Sequence, residues 1–203
     1  MAAAVDLVVV GTSWGGLHAV SEVLRLLPGD YPLPLAVVQH RSRESTSLLA
    51  DLLQDCTRLP VSEVEDQDAV APGVHIAPPD YHLLVDGGHF SLSVDPPVRF
   101  SRPSIDVTFG SAADAYGPRL AAVVLTGAND DGARGLACVA ERGGLALVQD
   151  PESAESPTMP VAALRRVPDA EVHTLPSLAR RLVTLAGPRV RGRARPATER
   201  RRP

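Results

Sequence analysis

Short apolar runs alternate with stretches in which apolar positions recur every three to four residues, and this alternation spans most of the chain. Continuous apolar runs between helical stretches are what a parallel sheet needs when helices cover both of its faces. The pattern predicts strands at about 5–10, 34–39, 59–64, 120–125, 144–149 and 170–174. Helices are predicted between them, at about 16–27, 45–55, 104–116, 131–142, 159–166 and 176–186. Pro160 suits the first turn of its helix, and Gly143-Gly144 suits the end of the one before. The middle section departs from the alternation. There Val74 to Ala77, Tyr81 to Asp86 and His89 to Val94 are short strand-like runs, the last two joined by Gly87-Gly88. A two-residue Gly-Gly link favours a hairpin, so an antiparallel element should interrupt the parallel sheet here. The predicted fold is a three-layer α/β/α domain, a doubly wound and mainly parallel sheet with an antiparallel hairpin insertion.

A chain of 203 residues with 44% hydrophobic content supports one domain with a well-buried core. Residues 1–187 are expected to form it. Residues 188–203 have neither apolar period nor helix caps and are expected to be a disordered, Arg-rich tail. Seven of the 20 basic residues lie in that tail with only Glu199 as acidic company, so it carries +6 while the body, with 13 basic against 23 acidic residues, carries −10. An acidic body argues against nucleic acid as a partner. Cys56 and Cys138 lie far apart, with no metal-like partners at short spacing, and read as reduced structural thiols. Asp6 interrupts the first apolar run and no stretch approaches the ~20 apolar residues of a membrane span, so a cytoplasmic protein without membrane insertion is expected. The oligomeric state is not legible in the sequence.

Reactive groups in an open parallel sheet gather beyond the carboxyl ends of the strands, where the connecting loops converge. The first strand ends in Gly11-Thr12-Ser13-Trp14-Gly15-Gly16, whose first five residues match G-x-S-x-G, a turn that can present a nucleophilic serine. A glycine-rich turn of this kind can equally cradle a phosphate. The second strand ends in Gln39-His40, and the strand at 120–125 ends in Thr126-Gly127-Ala128-Asn129-Asp130-Asp131-Gly132. A serine, a histidine and an aspartate thus reach one sheet edge from separate strands: the parts of a nucleophile, a base and an orienting carboxylate. Either Asp130 or Asp131 could also serve as an acidic helix cap, which requires no catalysis. His18, His75, His82, His89 and His173 show no ligand-like spacing with Asp or Glu, so no metal site is expected, nor any cofactor. The order Ser, His, Asp differs from the Ser, Asp, His order of α/β-hydrolases. Ser13 also occupies the place where a dinucleotide fingerprint needs its second glycine.

Taken together, Gly11 to Gly16, Val38-Gln39-His40, Pro72 to Pro78 with His82, Pro103-Ser104-Ile105-Asp106, Leu125-Thr126-Gly127 with Asp131-Gly132-Ala133, Gly143-Gly144 with Gln149-Asp150, and Met159-Pro160 resemble the catalytic domain of the chemotaxis protein-glutamate methylesterases, the CheB family. The resemblance covers about residues 5 to 186. It implies a serine hydrolase with Ser13 as nucleophile, His40 as general base and Asp131 as the histidine's partner, the aspartate immediately before Gly132. It also implies an oxyanion hole from the backbone N–H groups of Trp14 and Ala128. The implied reaction is hydrolysis of glutamate γ-methyl esters, and deamidation of glutamines, on the cytoplasmic helices of methyl-accepting chemoreceptors. A non-catalytic module binding receptors or signalling partners on the same fold is the alternative, and the complete Ser, His and Asp set argues against it. Three positions depart from the family pattern: Ala128 stands where methionine is usual, Trp14 where a small residue is common, and Arg41-Ser42-Arg43-Glu44 where a methionine-proline run is common.

Typical members carry an N-terminal receiver domain that blocks the site until it is phosphorylated, whereas here only four residues precede Val5. The expectation is a stand-alone catalytic domain. Asp30, Asp55 and Asp68 lie in loops or helix ends with no acidic cluster that could accept a phosphoryl group. The purified chain should therefore be active without activation, and acetyl phosphate with Mg²⁺ should neither label it nor raise its rate. A several-fold stimulation by phosphodonor alone contradicts this.

Overall fold

The computed structural model describes residues 4–41 and 48–187. The tail read at 188–203 and the first residues of the helix read at 45–55 lie outside the described residues. In chain order the elements are β1 (Leu7–Thr12), α1 (Gly16–Leu26), β2 (Pro34–Gln39), α2 (Leu48–Gln54), β3 (Val61–Glu63), β4 (Gly73–Ile76), β5 (His82–Asp86), β6 (His89–Ser93), α3 (Ile105–Tyr116), β7 (Leu120–Val124), α4 (Ala133–Glu141), β8 (Leu145–Gln149), α5 (Thr158–Arg166), β9 (Glu171–His173) and α6 (Leu175–Leu185).

Seven strands form one sheet in the order β3-β4-β2-β1-β7-β8-β9, and every pairing in it is parallel. Alternating side chains feed the two faces. Leu7 and Val9 of β1, with Leu120, Ala122 and Val124 of β7, join the core under α3, α4 and α5. Val8 and Val10, with Ala121 and Val123, join the core under α1, α2 and α6. With both faces covered, the central strands can be apolar at every position, which is why they read as continuous runs. The two edge strands, β3 and β9, are three residues long, which leaves little unpaired backbone for another chain to extend.

The hairpin forms as expected, with Gly87 and Gly88 both at positive φ (55° and 95°), the conformation a two-residue turn of this hand requires. It stands apart as a two-stranded sheet packed on α3, where Leu83, Val85 and Phe90 are buried. The run at Val74 to Ala77, read with the middle section, instead supplies β4 of the main sheet. Its residues lie parallel between β2 and β3 (Leu35 opposite Val74, Val61 opposite Val74), so the sheet has seven strands rather than six. A four-residue strand is too short to show which partner it will take.

The chain runs outward from β1 through β2, then returns to place β7 on the other side of β1, with α1 and α4 on opposite faces. The loops after β1 and β7 therefore part above and below the sheet and leave a crevice at its carboxyl edge.

At the far edge of the sheet, Arg181 of α6 binds Glu171 of β9 through Nε–Oε2 (2.7 Å) and Nη2–Oε1 (2.8 Å). The Arg181 guanidinium, with smaller help from His173, lowers the Glu171 carboxyl to about 2 against the opposing effect of burial. A folded-state value below the unfolded one means that the pair stabilises above the ordinary glutamate range and loses that contribution as pH falls toward 2. Because the pair is partly exposed to solvent, its contribution should be no more than about 1 kcal/mol. Glu171→Gln should lower stability slightly in urea unfolding at pH 7, and the difference from the parent should vanish near pH 2. A difference that persists there contradicts the assignment.

Candidate active site

The crevice is laced together by the backbone of three loops. Ser13 N–H donates to Thr126 O (3.0 Å), His40 N–H donates to Thr12 O (3.0 Å), and Leu125 N–H donates to Gly11 O (2.9 Å), each continuing a strand ladder past the sheet edge. Thr12 Oγ1 also donates to Thr126 O, and Thr126 Oγ1 to Trp14 O, both at 2.9 Å. Gln39 Nε2 donates to Ser13 O (2.8 Å) and His40 O (3.1 Å), tying the loop after β1 to the one after β2. The glycines are needed for these approaches. Gly15 has φ +77°, and a Cβ on Gly16 would lie 2.2 Å from Gln39 Oε1. A Cβ on Gly127 would lie 3.0 Å from Ser13 Cβ and 2.5 Å from Met159 Cε, so the loop after β7 packs directly against the serine.

Asp131 is fully buried. Its Oδ2 accepts from His40 Nε2 (2.7 Å) and from Ile105 N–H (2.7 Å); its Oδ1 accepts from Ser104 Oγ (3.0 Å) and Asp106 N–H (2.9 Å). Burial works to raise the Asp131 pKa, but the His40 ring and the N–H groups of Asp106 and Ile105 outweigh it and hold the carboxyl below the ordinary range. These amides open α3, so the carboxylate also meets the positive end of a helix. His82 fixes the opening residue: Ser104 N–H donates to its Nδ1 (3.2 Å), and its Nε2 lies 3.2 Å from Pro96 O.

Asp106 answers for the other helix, its Oδ1 accepting from Gly132 N–H (2.9 Å) and Gly135 N–H (2.8 Å) at the start of α4. Burial raises the Asp106 pKa, and nearby Asp131 adds to the effect. Asp130, the other carboxylate that the sequence offered, points away and pairs with Arg99 at the surface, which lowers its pKa. The geometry therefore puts Asp131, and not Asp130, behind His40.

The ring orientation of His40 follows from its partners. A carboxylate can only accept, so Nε2 carries the proton; Nδ1 keeps its lone pair, with Asn129 Nδ2 3.4 Å away. The Asn129 amide is oriented in turn, because its Oδ1 accepts from Asp131 N–H (3.1 Å). Ser13, Trp14, His40 and Ala128 line one cleft of about 770 Å³ that continues along α1 past Leu17 and Leu52 to Arg25. Among the described residues, the N–H groups of Ser13 and Gly127 are bonded, to Thr126 O and Ser156 O, whereas those of Trp14 and Ala128 donate to nothing. Among the same residues, no group of three or more His, Cys, Asp or Glu side chains is placed to share a metal ion.

A family model described as CheB methylesterase matches residues 8–182. The chain belongs to the CheB methylesterase family. The catalytic domain of the Thermotoga maritima CheB methylesterase superposes with a TM-score of 0.85 at 32% identity, covering 90% of this chain and all of that one. A Leptospira interrogans relative is 39% identical over 182 residues, 89% of this chain and 94% of its own length. The Myxococcus xanthus protein-glutamate methylesterase FrzG is 44% identical over 160 residues, which cover 78% of this chain and 48% of FrzG.

The strand pattern brings Ser13, His40 and one of Asp130 and Asp131 to one edge, the resemblance points to Asp131, and the structure places Asp131 against His40. The supporting contacts of His82 to Ser104 and of Asp106 to α4 are not legible in the sequence. His82 stands among the motifs of the family resemblance, but nothing in its local pattern shows that it accepts from Ser104 N–H. Asp131→Asn would turn an NH₂ toward a backbone N–H that can only donate, that of Asp106 or of Ile105, whichever way the amide lies. It should destabilise the fold by about 1–3 kcal/mol in urea or thermal unfolding. An unchanged midpoint contradicts the network.

Proposed function

We propose that this CheB-family enzyme hydrolyses glutamate γ-methyl esters on the helices of chemoreceptor proteins, with Ser13 as nucleophile, His40 as base and Asp131 as the group that orients the base. The observation that carries the reading is the 2.7 Å bond from His40 Nε2 to fully buried Asp131, with Ser13 and His40 lining one cleft. The His40 Nδ1 lone pair takes the Ser13 proton as Oγ adds to the ester carbonyl. The N–H groups of Trp14 and Ala128 receive the oxyanion, and one such donor lowers the barrier by on the order of 3 kcal/mol. Collapse of the intermediate expels methanol with the proton from His40. A water deprotonated by His40 then releases the glutamate and restores Ser13. A glutamine amide follows the same course with ammonia leaving, in keeping with the glutaminase part of the name carried by a Pseudomonas aeruginosa relative 37% identical over 179 residues.

The use of Nδ1 as base reverses the roles of the two ring nitrogens in the trypsin-type triad. The exposed Trp14, Leu17 and Leu52 along the cleft suit one face of an amphipathic helix better than a small soluble ester. We further place the reaction in the cytoplasm: Cys56 and Cys138 are both unpaired, and no described helix is long and apolar enough to cross a membrane.

Ser13→Ala and His40→Ala should each lower methanol release from a methylated receptor by about a thousandfold or more. Asp130→Asn should leave the rate within twofold, because Asp130 serves only a surface ion pair. Loss of activity in Asp130→Asn with full activity in Asp131→Asn would overturn the assignment.

A further inference from the structure

A second, smaller cavity of about 190 Å³ shares His40 with the cleft and is lined also by Arg41, Phe100, Ser101 and Arg102 together with prolines. Its two cations differ. Arg102 is fully committed, to Asp80 through Nε (3.0 Å) and Nη2 (2.6 Å) and to the carbonyls of Val94 and Asp95 through Nη1. Arg41 is not. Its side chain is only 6% exposed, and Nη2 bonds Glu63 Oε1 (2.5 Å) and Ala77 O (2.9 Å), yet Nε and Nη1 are buried and, among the described residues, have no partner.

A buried guanidinium nitrogen without an acceptor is costly, and a group kept in that condition beside a catalytic histidine is poised for one. Glu63 offsets the Arg41 charge without satisfying those donors, so what the guanidinium at the cavity wall lacks is an acceptor, and an anionic one is bound most strongly. The rim adds a second sign of use. Phe100 is fully exposed at φ +66°, next to Arg99 at φ +50°, in the turn closed by the Val98–Ser101 pairing. Two consecutive non-glycine residues in the left-handed region are costly and tend to persist where a ligand is clamped.

We propose that this cavity is a carboxylate subsite that takes an acidic side chain of the substrate helix one turn away from the esterified glutamate. The inference rests on the esterase reading. His40 belongs to both the cleft and the cavity, so an ester held at Ser13 puts the cavity within reach of the next turn. Side chains three or four residues apart on a helix lie about 5–6 Å from one another, which matches two adjoining pockets better than neighbours on opposite faces do. The cavity is smaller than sites that enclose a whole small molecule, but it can hold the end of one side chain. Arg41 would then select which glutamates of a receptor are demethylated.

The test uses helical peptides with one glutamate methyl ester and either Glu or Gln three or four residues away, on each side. Methanol release gives kcat/KM, and the fluorescence of Trp14, the one tryptophan of the chain, reports binding without turnover. With the parent enzyme, at least one Glu peptide should exceed its Gln counterpart by about tenfold in kcat/KM, through KM rather than kcat. In Arg41→Met that ratio should fall to about one, whatever the variant's overall rate; Arg41→Lys, which keeps a charge facing Glu63, serves if the Met variant fails to fold and should retain a reduced ratio. Equal kcat/KM for every Glu and Gln pair in the parent overturns the proposal, as does a preference that survives Arg41→Met. Free acetate that inhibits all peptides equally, with no discrimination among them, would assign the cavity to free anions and also overturn it. If no peptide is turned over while Trp14 still reports a Glu preference that Arg41→Met removes, the esterase reading fails and the subsite stands.

Discussion

A buried carboxylate has to be neutralised or surrounded by donors, and the way this chain surrounds Asp131 sets the geometry of everything near it. Removing a carboxylate from water costs several kcal/mol, and a single imidazole does not return that. The remainder comes from Ser104 Oγ and the first amides of α3, which converge on the two Asp131 oxygens. The exchange is mutual. Asp106, one residue into α3, accepts from the amides that open α4, so each helix begins on the carboxylate supplied by the other. Moving either helix would expose unpaired donors on both, and this interlock holds the Asp131 side chain, and through it the His40 ring, in one position.

The same constraint explains why a hairpin outside the main sheet matters to chemistry within it. The hairpin carries His82, whose Nδ1 accepts from Ser104 N–H and so anchors the start of α3. Thr108 and Ser111 of α3 bond back to the hairpin at Leu83 O and Val85 N–H. The insertion is a buttress for the helix whose first amides hold Asp131 against His40. On the other side, Ser13 is held through its own backbone and through Gln39, whose amide also bonds His40 O, so one side chain ties the backbones of both residues at the crevice. Shared backbone ties of this kind let Ser13 and His40 keep their places while the cleft in front of them varies, as at Trp14 and Ala128.

What could be read from the sequence was what depends on period and position. Strands such as Val8 to Val10 and Ala121 to Val124 are apolar on both faces, and the loops after parallel strands must share an edge, so the meeting of Ser13, His40 and an aspartate is legible in the sequence. The choice between Asp130 and Asp131 rested on resemblance alone, because both could cap a helix; burial and the Arg99 pairing separate them only in three dimensions. The run at Val74 to Ala77 looked like part of the antiparallel section because four residues carry no information about their partner strands. Asp106 and His82 act on residues more than 20 positions away, a spacing that no local pattern encodes.

If the carboxylate cradle is what makes His40 a base, the ring must hold its proton on the Asp131 side before any substrate arrives. Imidazole ¹⁵N chemical shifts of selectively labelled His40 in the free enzyme, at a pH where the ring is neutral, report this directly. The expected spectrum has a protonated Nε2 and a pyridine-type Nδ1, and Asp131→Asn should mix the two tautomers. A neutral His40 with its proton on Nδ1 in the parent enzyme would contradict the central claim.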